Sequence, residues 1–103
     1  MALEFLGDAG IYLPAEDGIK LTALEDGHLR EYVVTRAALV AGGADPTTDF
    51  GGLLDFFERN RALFETAAAN VSPQPSQYWR VRPDDVARGR LAHFVEQRHA
   101  VEG

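Results

Sequence analysis

Apolar and polar positions alternate with a period of two through the first third of the chain, and with a helical period over much of the rest. Ala2 to Leu6 reads as a short edge segment. Ile11 to Leu13 is a brief apolar run stopped by Pro14, which has no N–H for a strand ladder. Asp17-Gly18 signals a turn. Ile19 to Glu25 and His28 to Thr35 then flank Asp26-Gly27. Asp-Gly between two alternating runs predicts a hairpin, because both turn residues must take positive φ. A two-residue loop sets the register: Glu25 faces His28, Ala23 faces Arg30, Leu21 faces Tyr32 and Ile19 faces Val34. One face then carries Ile19, Leu21, Tyr32 and Val34. The other carries Lys20, Thr22 and Glu31 with Leu24, Leu29 and Val33.

Thr35 suits the N-cap of a short helix, Arg36 to Ala41, ended by Gly42-Gly43. Asp45-Pro46-Thr47-Thr48 is a turn, and Thr47 or Thr48 is expected to cap the next helix with Asp49 at its positive end. That helix is predicted to be long, from about Thr48 to Asn70. Phe50, Leu53, Leu54, Phe57, Phe64, Ala68 and Val71 recur at helical spacing, and Phe56, Leu63 and Ala67 add a flanking strip. The combined arc spans roughly half the helix circumference, wider than the ~100° one packing surface needs. The helix is therefore expected to touch two things: the hairpin sheet, and either the C-terminal segment or a partner chain. Gly51 and Gly52 fit a close backbone approach or a later helix start.

Two prolines in Val71 to Ser76 make that stretch a loop. Gln77 to Arg82 alternates and is rich in β-formers, so a strand is predicted there, with Trp79 and Val81 on one face. Pro83 suits the first position of a last helix, with Asp84 and Asp85 in its first turn. Ala87, Leu91, Phe94 and Val101 form the stripe of that helix, and Gly89 weakens it. The expected fold is α+β. A small antiparallel sheet (hairpin 19–25/28–35 plus strand 77–82) packs on a long amphipathic helix 48–70, with a short helix 36–41 and a C-terminal helix 84–100. Residues 1–86 are expected to form a single domain, and 87–103 a helical extension packed on it or on a partner.

Composition narrows the function classes. With 103 residues and 46% hydrophobic content, one folded domain is expected. The lack of cysteine excludes disulfides, cysteine-based zinc sites and a thiol nucleophile, and suits a reducing, cytoplasmic setting. The opening residues carry no basic, apolar leader pattern, and no apolar run approaches the ~20 residues of a membrane span, so no membrane partner is expected. The net charge of −6 argues against general nucleic-acid binding. The charge is uneven. Residues 1–71 hold 12 acids and 5 bases, whereas residues 72–103 hold 4 acids and 5 arginines.

Several segments resemble a small bacterial family known as domain of unknown function 1488. They are Leu3-Glu4-Phe5-Leu6, then Val33-Val34-Thr35 before Ala37-Ala38-Leu39, then Phe57-Glu58-Arg59-Asn60-Arg61-Ala62-Leu63-Phe64-Glu65-Thr66-Ala67-Ala68, and finally Arg82-Pro83-Asp84-Asp85-Val86. The resemblance covers about residues 2–86. It implies a compact α+β domain and supplies no activity, cofactor or catalytic residue.

Asn60-Arg61 is the oddest pair, because Arg61 falls inside the apolar arc. A guanidinium there needs partners. It is either an anchor for an anionic ligand or partner, or a structural arginine whose stem packs on the sheet while its head pairs with an acid. His93 and His99 are six apart on the last helix and do not share a face, and His28 sits beside a hairpin turn, so no metal site is expected. Glu16-Asp17, Glu25-Asp26 and Asp84-Asp85 sit at turns or a helix start, where turn and dipole roles explain them. No serine lies in a nucleophile-elbow context and no glycine loop suits phosphate, so no catalytic residue or cofactor is predicted. Tyr78 and Trp79 with Arg80, Arg82, Arg88, Arg90 and Arg98 are the cluster that could suit a nucleic acid. The leading expectation is a non-catalytic interaction or adaptor domain, with a homodimer as one form. Its candidate contact residues are Arg61, Asn60, Phe56, Leu63, Trp79, Arg80 and Arg82. The alternative is a weak nucleic-acid-associated regulator using the C-terminal arginines.

Overall fold

The computed structural model describes residues 3–7 and 10–89. The hairpin forms as its turn chemistry dictates. β3 (Gly18–Glu25) and β4 (His28–Thr35) pair antiparallel in the expected register, from Glu25 opposite His28 to Ile19 opposite Val34. Asp26 and Gly27 both take positive φ, 51° and 82°. β1 (Leu3–Phe5) and β2 (Ile11–Leu13) lie end to end along the other side of β3, both antiparallel to it. Gly18 permits the close approach of β3 to β4. A Cβ there would stand 2.5 Å from Val33 Cγ1 and 2.7 Å from the Val34 carbonyl oxygen.

The sheet is mixed, which corrects the antiparallel expectation. β5 (Trp79–Val81) runs parallel to β4, with Trp79 opposite Tyr32 and Val81 opposite Val34. Its chain arrives after a crossover through three helices, and a crossover returns a strand in its original direction. The outer edge of β5 is closed by a side chain. The Arg80 N–H donates to Gln74 Oε1 (3.0 Å), and Gln74 Nε2 donates to the Arg80 carbonyl (3.1 Å). This covers backbone groups that would otherwise template pairing with another chain.

α1 (Arg36–Ala41) starts at the expected cap, with Thr35 Oγ1 accepting from the Ala38 N–H at 3.1 Å. The same hydroxyl donates to the Val81 carbonyl (2.9 Å) and so ties α1 to β5. The next helix is capped by Asp49 itself, not by Thr47 or Thr48. Its carboxylate accepts from the Gly52 N–H at 2.9 Å. The predicted single helix over 48–70 is two: α2 (Phe50–Arg59) and α3 (Arg61–Ala69), broken at Asn60. Asn60 has φ −119° and ψ 26°, and its side-chain amide donates to the Phe56 carbonyl at 3.0 Å. A short amide that bonds its own backbone competes with helix propagation. The apolar spacing runs on from Phe57 to Phe64 across the break, which hides it from a periodicity argument.

Residues 83–89 are helical (α4). The Asp85 carboxylate accepts from the Arg82 N–H at 2.9 Å and is only 5% exposed. The rest of the expected helix 84–100, and with it most of the extension 87–103, lies outside the described residues. The core takes Ile19, Leu21, Ala23, Tyr32 and Val34 from one sheet face, Leu53, Phe57, Phe64, Ala67 and Ala68 from α2 and α3, and Val86 from α4.

Much of the wide apolar arc is covered within the chain, though Phe50 at its start is exposed. Phe56 meets Phe64 edge-on at 6.0 Å, and a Cβ on Gly43 would touch the Phe56 ring at 3.4 Å, so the end of α1 closes that side. At Gly89, α4 backs onto α3 so closely that a Cβ would lie 3.1 Å from the Ala67 nitrogen. α4 therefore packs on its own chain over the described residues.

Candidate functional site

Between β2 and the first turns of α2 lies a groove of about 420 Å³, lined by Gly10, Ile11, Tyr12, Pro14, Phe50 and Leu54. Local sequence explains its walls. β2 is a short edge strand ended by Pro14, and Phe50 is the first residue of a helix whose start is set by Asp49. The Tyr12 ring stacks on Phe50 with centroids 5.5 Å apart. Gly10 lays bare backbone against the core, since a Cβ there would come within 2.9 Å of Ile19 and 3.0 Å of Phe57. Ile11 is 55% exposed and Phe50 58%.

Polar groups outside the lining hold two of its residues, Tyr12 and Gly10. The Tyr12 hydroxyl donates to Asp17 Oδ1 (2.8 Å), and Arg36 Nε donates to both Asp17 oxygens at 3.2 and 3.1 Å. Arg36 also donates to the Thr48 carbonyl (3.0 Å), which joins the β2–β3 turn to the approach of α2. Asp17 sits at φ 48°, a left-handed conformation that non-glycine residues seldom take. Glu58 Oε1 accepts from the Gly10 N–H at 2.9 Å.

Bonding to Asp17, and then burial, raises the Tyr12 phenol above its ordinary pKa. The bond from Tyr12, helped by Arg36, lowers the Asp17 carboxyl below its usual value. A depressed carboxyl stabilises the fold above its unfolded pKa, and that contribution fades as pH falls through the folded value. The stability gap between the native chain and Asp17→Asn should therefore be widest at neutral pH. It should narrow once pH drops below about 3.9. Urea melts across the acid range check this, and a gap that stays constant would refute it.

None of the residues singled out from sequence lines the groove. Arg61 acts as a clamp. It pairs with Glu65 (3.0 Å) and Glu58 (3.5 Å), donates to the Leu6 carbonyl (2.8 Å), and lies 5.5 Å from the Phe57 ring centroid. Asn60 breaks the helix beside it. Phe56 and Leu63 are partly buried against the core. One face of Trp79 is occupied by the Arg30 guanidinium at 4.2 Å, and Tyr32 meets its ring at 6.0 Å, nearly perpendicular. Arg80 pairs with Glu16 at 2.7 Å. Arg82 is exposed and lines a second, polar cavity of about 250 Å³, where Arg88 pairs with Asp85. Sequence reasoning missed the groove because its walls are some forty residues apart. The available signals were the apolar Ile11 on an edge strand and Phe50 at a helix start. Among the described residues no cluster of three or more histidines, aspartates or glutamates could hold a metal, and His93 and His99 lie outside them. No described helix is long and apolar enough to cross a membrane.

No family model and no curated protein matches the sequence. The fold does have a counterpart. A protein of unknown function from the duf1488 family of Shewanella loihica PV-4 superposes with a TM-score of 0.64, over 78% of this chain and 92% of that one, at 16% identity. The chain is thus a small α+β domain with the fold of that duf1488 structure.

Proposed function

We propose that this chain is a non-catalytic interaction domain that docks a partner protein in the groove between β2 and α2. One observation carries the reading. Large apolar side chains are otherwise buried or half-buried among the described residues, yet of the three that are more than half exposed, Ile11 and Phe50 meet at this groove and only Leu29 lies elsewhere. Exposed apolar surface gathered at a concavity marks binding sites rather than packing.

A neutral solvatochromic dye such as Nile red should bind the native chain at one saturable site. Phe50→Asp should remove that site at little cost to stability. The residue is exposed, and an acid in the first helical turn is favourable to the dipole, so the change should stay below about 1 kcal/mol. Dye binding unchanged in a folded Phe50→Asp would sink the reading.

A further inference from the structure

Charge around the groove narrows the partner. Asp17 and Glu58 bond lining residues directly, and Asp49 and Asp55 flank Phe50 and Leu54 in the chain. Arg36, Arg59 and Arg61 answer Asp17, Asp55 and Glu58. Asp49 is exposed, and among the described residues it makes no ion pair; one of its oxygens is used by the helix cap. Of the four acids named here only Asp49 has no ion pair among the described residues, so the rim keeps an unanswered negative charge beside Phe50, which favours a cation on the occupant. A second copy presenting the same face would bring acid against acid. The outer edge of β2 has no strand partner among the described residues, so an extended chain can lie along it.

Resting on the docking reading above, we infer that the occupant is an extended segment of another protein, with large apolar anchors that enter between Ile11 and Phe50 and flanking lysine or arginine that meets the acidic rim. The apolar walls supply the anchor and the rim supplies the sign of the flanks. Part of the affinity should then be lost as salt rises.

The test is to pan a random peptide library on the immobilised full chain, with folded Phe50→Asp as the counter-selection. The enriched peptides should combine large apolar residues with net positive charge. A consensus peptide should shift the amide resonances of Ile11, Tyr12 and Leu54, bind about tenfold or more weakly to Phe50→Asp, and weaken as salt rises. Neutral or acidic peptides that map to the same amides would overturn the basic partner and leave the docking reading standing. No enrichment over the variant would overturn both. Sedimentation showing a dimer that Phe50→Asp dissociates would replace the foreign segment with a second copy.

Discussion

Phe57→Ala should cost about 3–5 kcal/mol of unfolding free energy, the range for truncating a buried aromatic. Small domains are stable by only about 5–15 kcal/mol, so a large part of the fold's stability rests on this ring. Phe57 is fully buried, stacks on Phe64 at 5.8 Å, and lies beneath Gly10 at the groove. Its loss leaves a cavity under the sheet and under the groove at once. Thermal melts should show a midpoint lower by roughly 15 °C or more. A variant melting within a few degrees of the native chain would mean that the core collapses around the gap, contrary to the packing described. The same residue links stability to function, so groove binding should weaken in Phe57→Ala even where the variant remains folded.

Arg61→Met should cost about 1.5–3 kcal/mol, the worth of hydrogen bonds to a charged group. Methionine keeps the stem against Phe57 and removes the head that holds Leu6, Glu58 and Glu65 together. That head is one-fifth exposed, so its bonds are only partly screened. The Leu6 carbonyl follows β1 directly, and the Glu58 carboxylate accepts from the Gly10 N–H just before β2. The loss should therefore appear as faster amide exchange in β1 and around Gly10, beyond the fall in global stability. Unchanged stability and exchange would show the clamp to be idle. Glu58 also holds the Gly10 N–H, so Arg61 acts on the groove through a neighbour without touching it.

The hairpin was fully legible in the sequence. Asp26-Gly27 admits one kind of turn, and that turn sets every pairing from Glu25 to Ile19. The cap of α1 was legible for the same reason, since Thr35 answers an orphan N–H three residues on. The long helix was legible in its apolar face but not in its continuity. Asn60 chooses between two backbone bonding patterns of similar energy, and the Phe57 to Phe64 spacing is the same either way. The width of the apolar arc pointed to a second cover from the C-terminal segment or a partner chain, and did not name α1, whose end closes the Phe56 side. That α1 and α4 supply much of the cover from the same chain depends on where loops return, and composition does not carry that.

Side-chain chemistry acting over a few residues thus settled turns, caps, register and the buried faces of this chain, because those choices are made by local sterics and by water. The direction of β5, the pairing of Arg61 with the β1–β2 link, and the groove between Ile11 and Phe50 all join residues tens of positions apart. Such contacts exist only after the elements have packed, since an apolar residue is exposed or buried according to its neighbours in space. The wide apolar arc of residues 50–71 announced that something must cover it. Packing covered its Phe56 side from within and left its Phe50 end open beside Ile11 at the edge of the sheet.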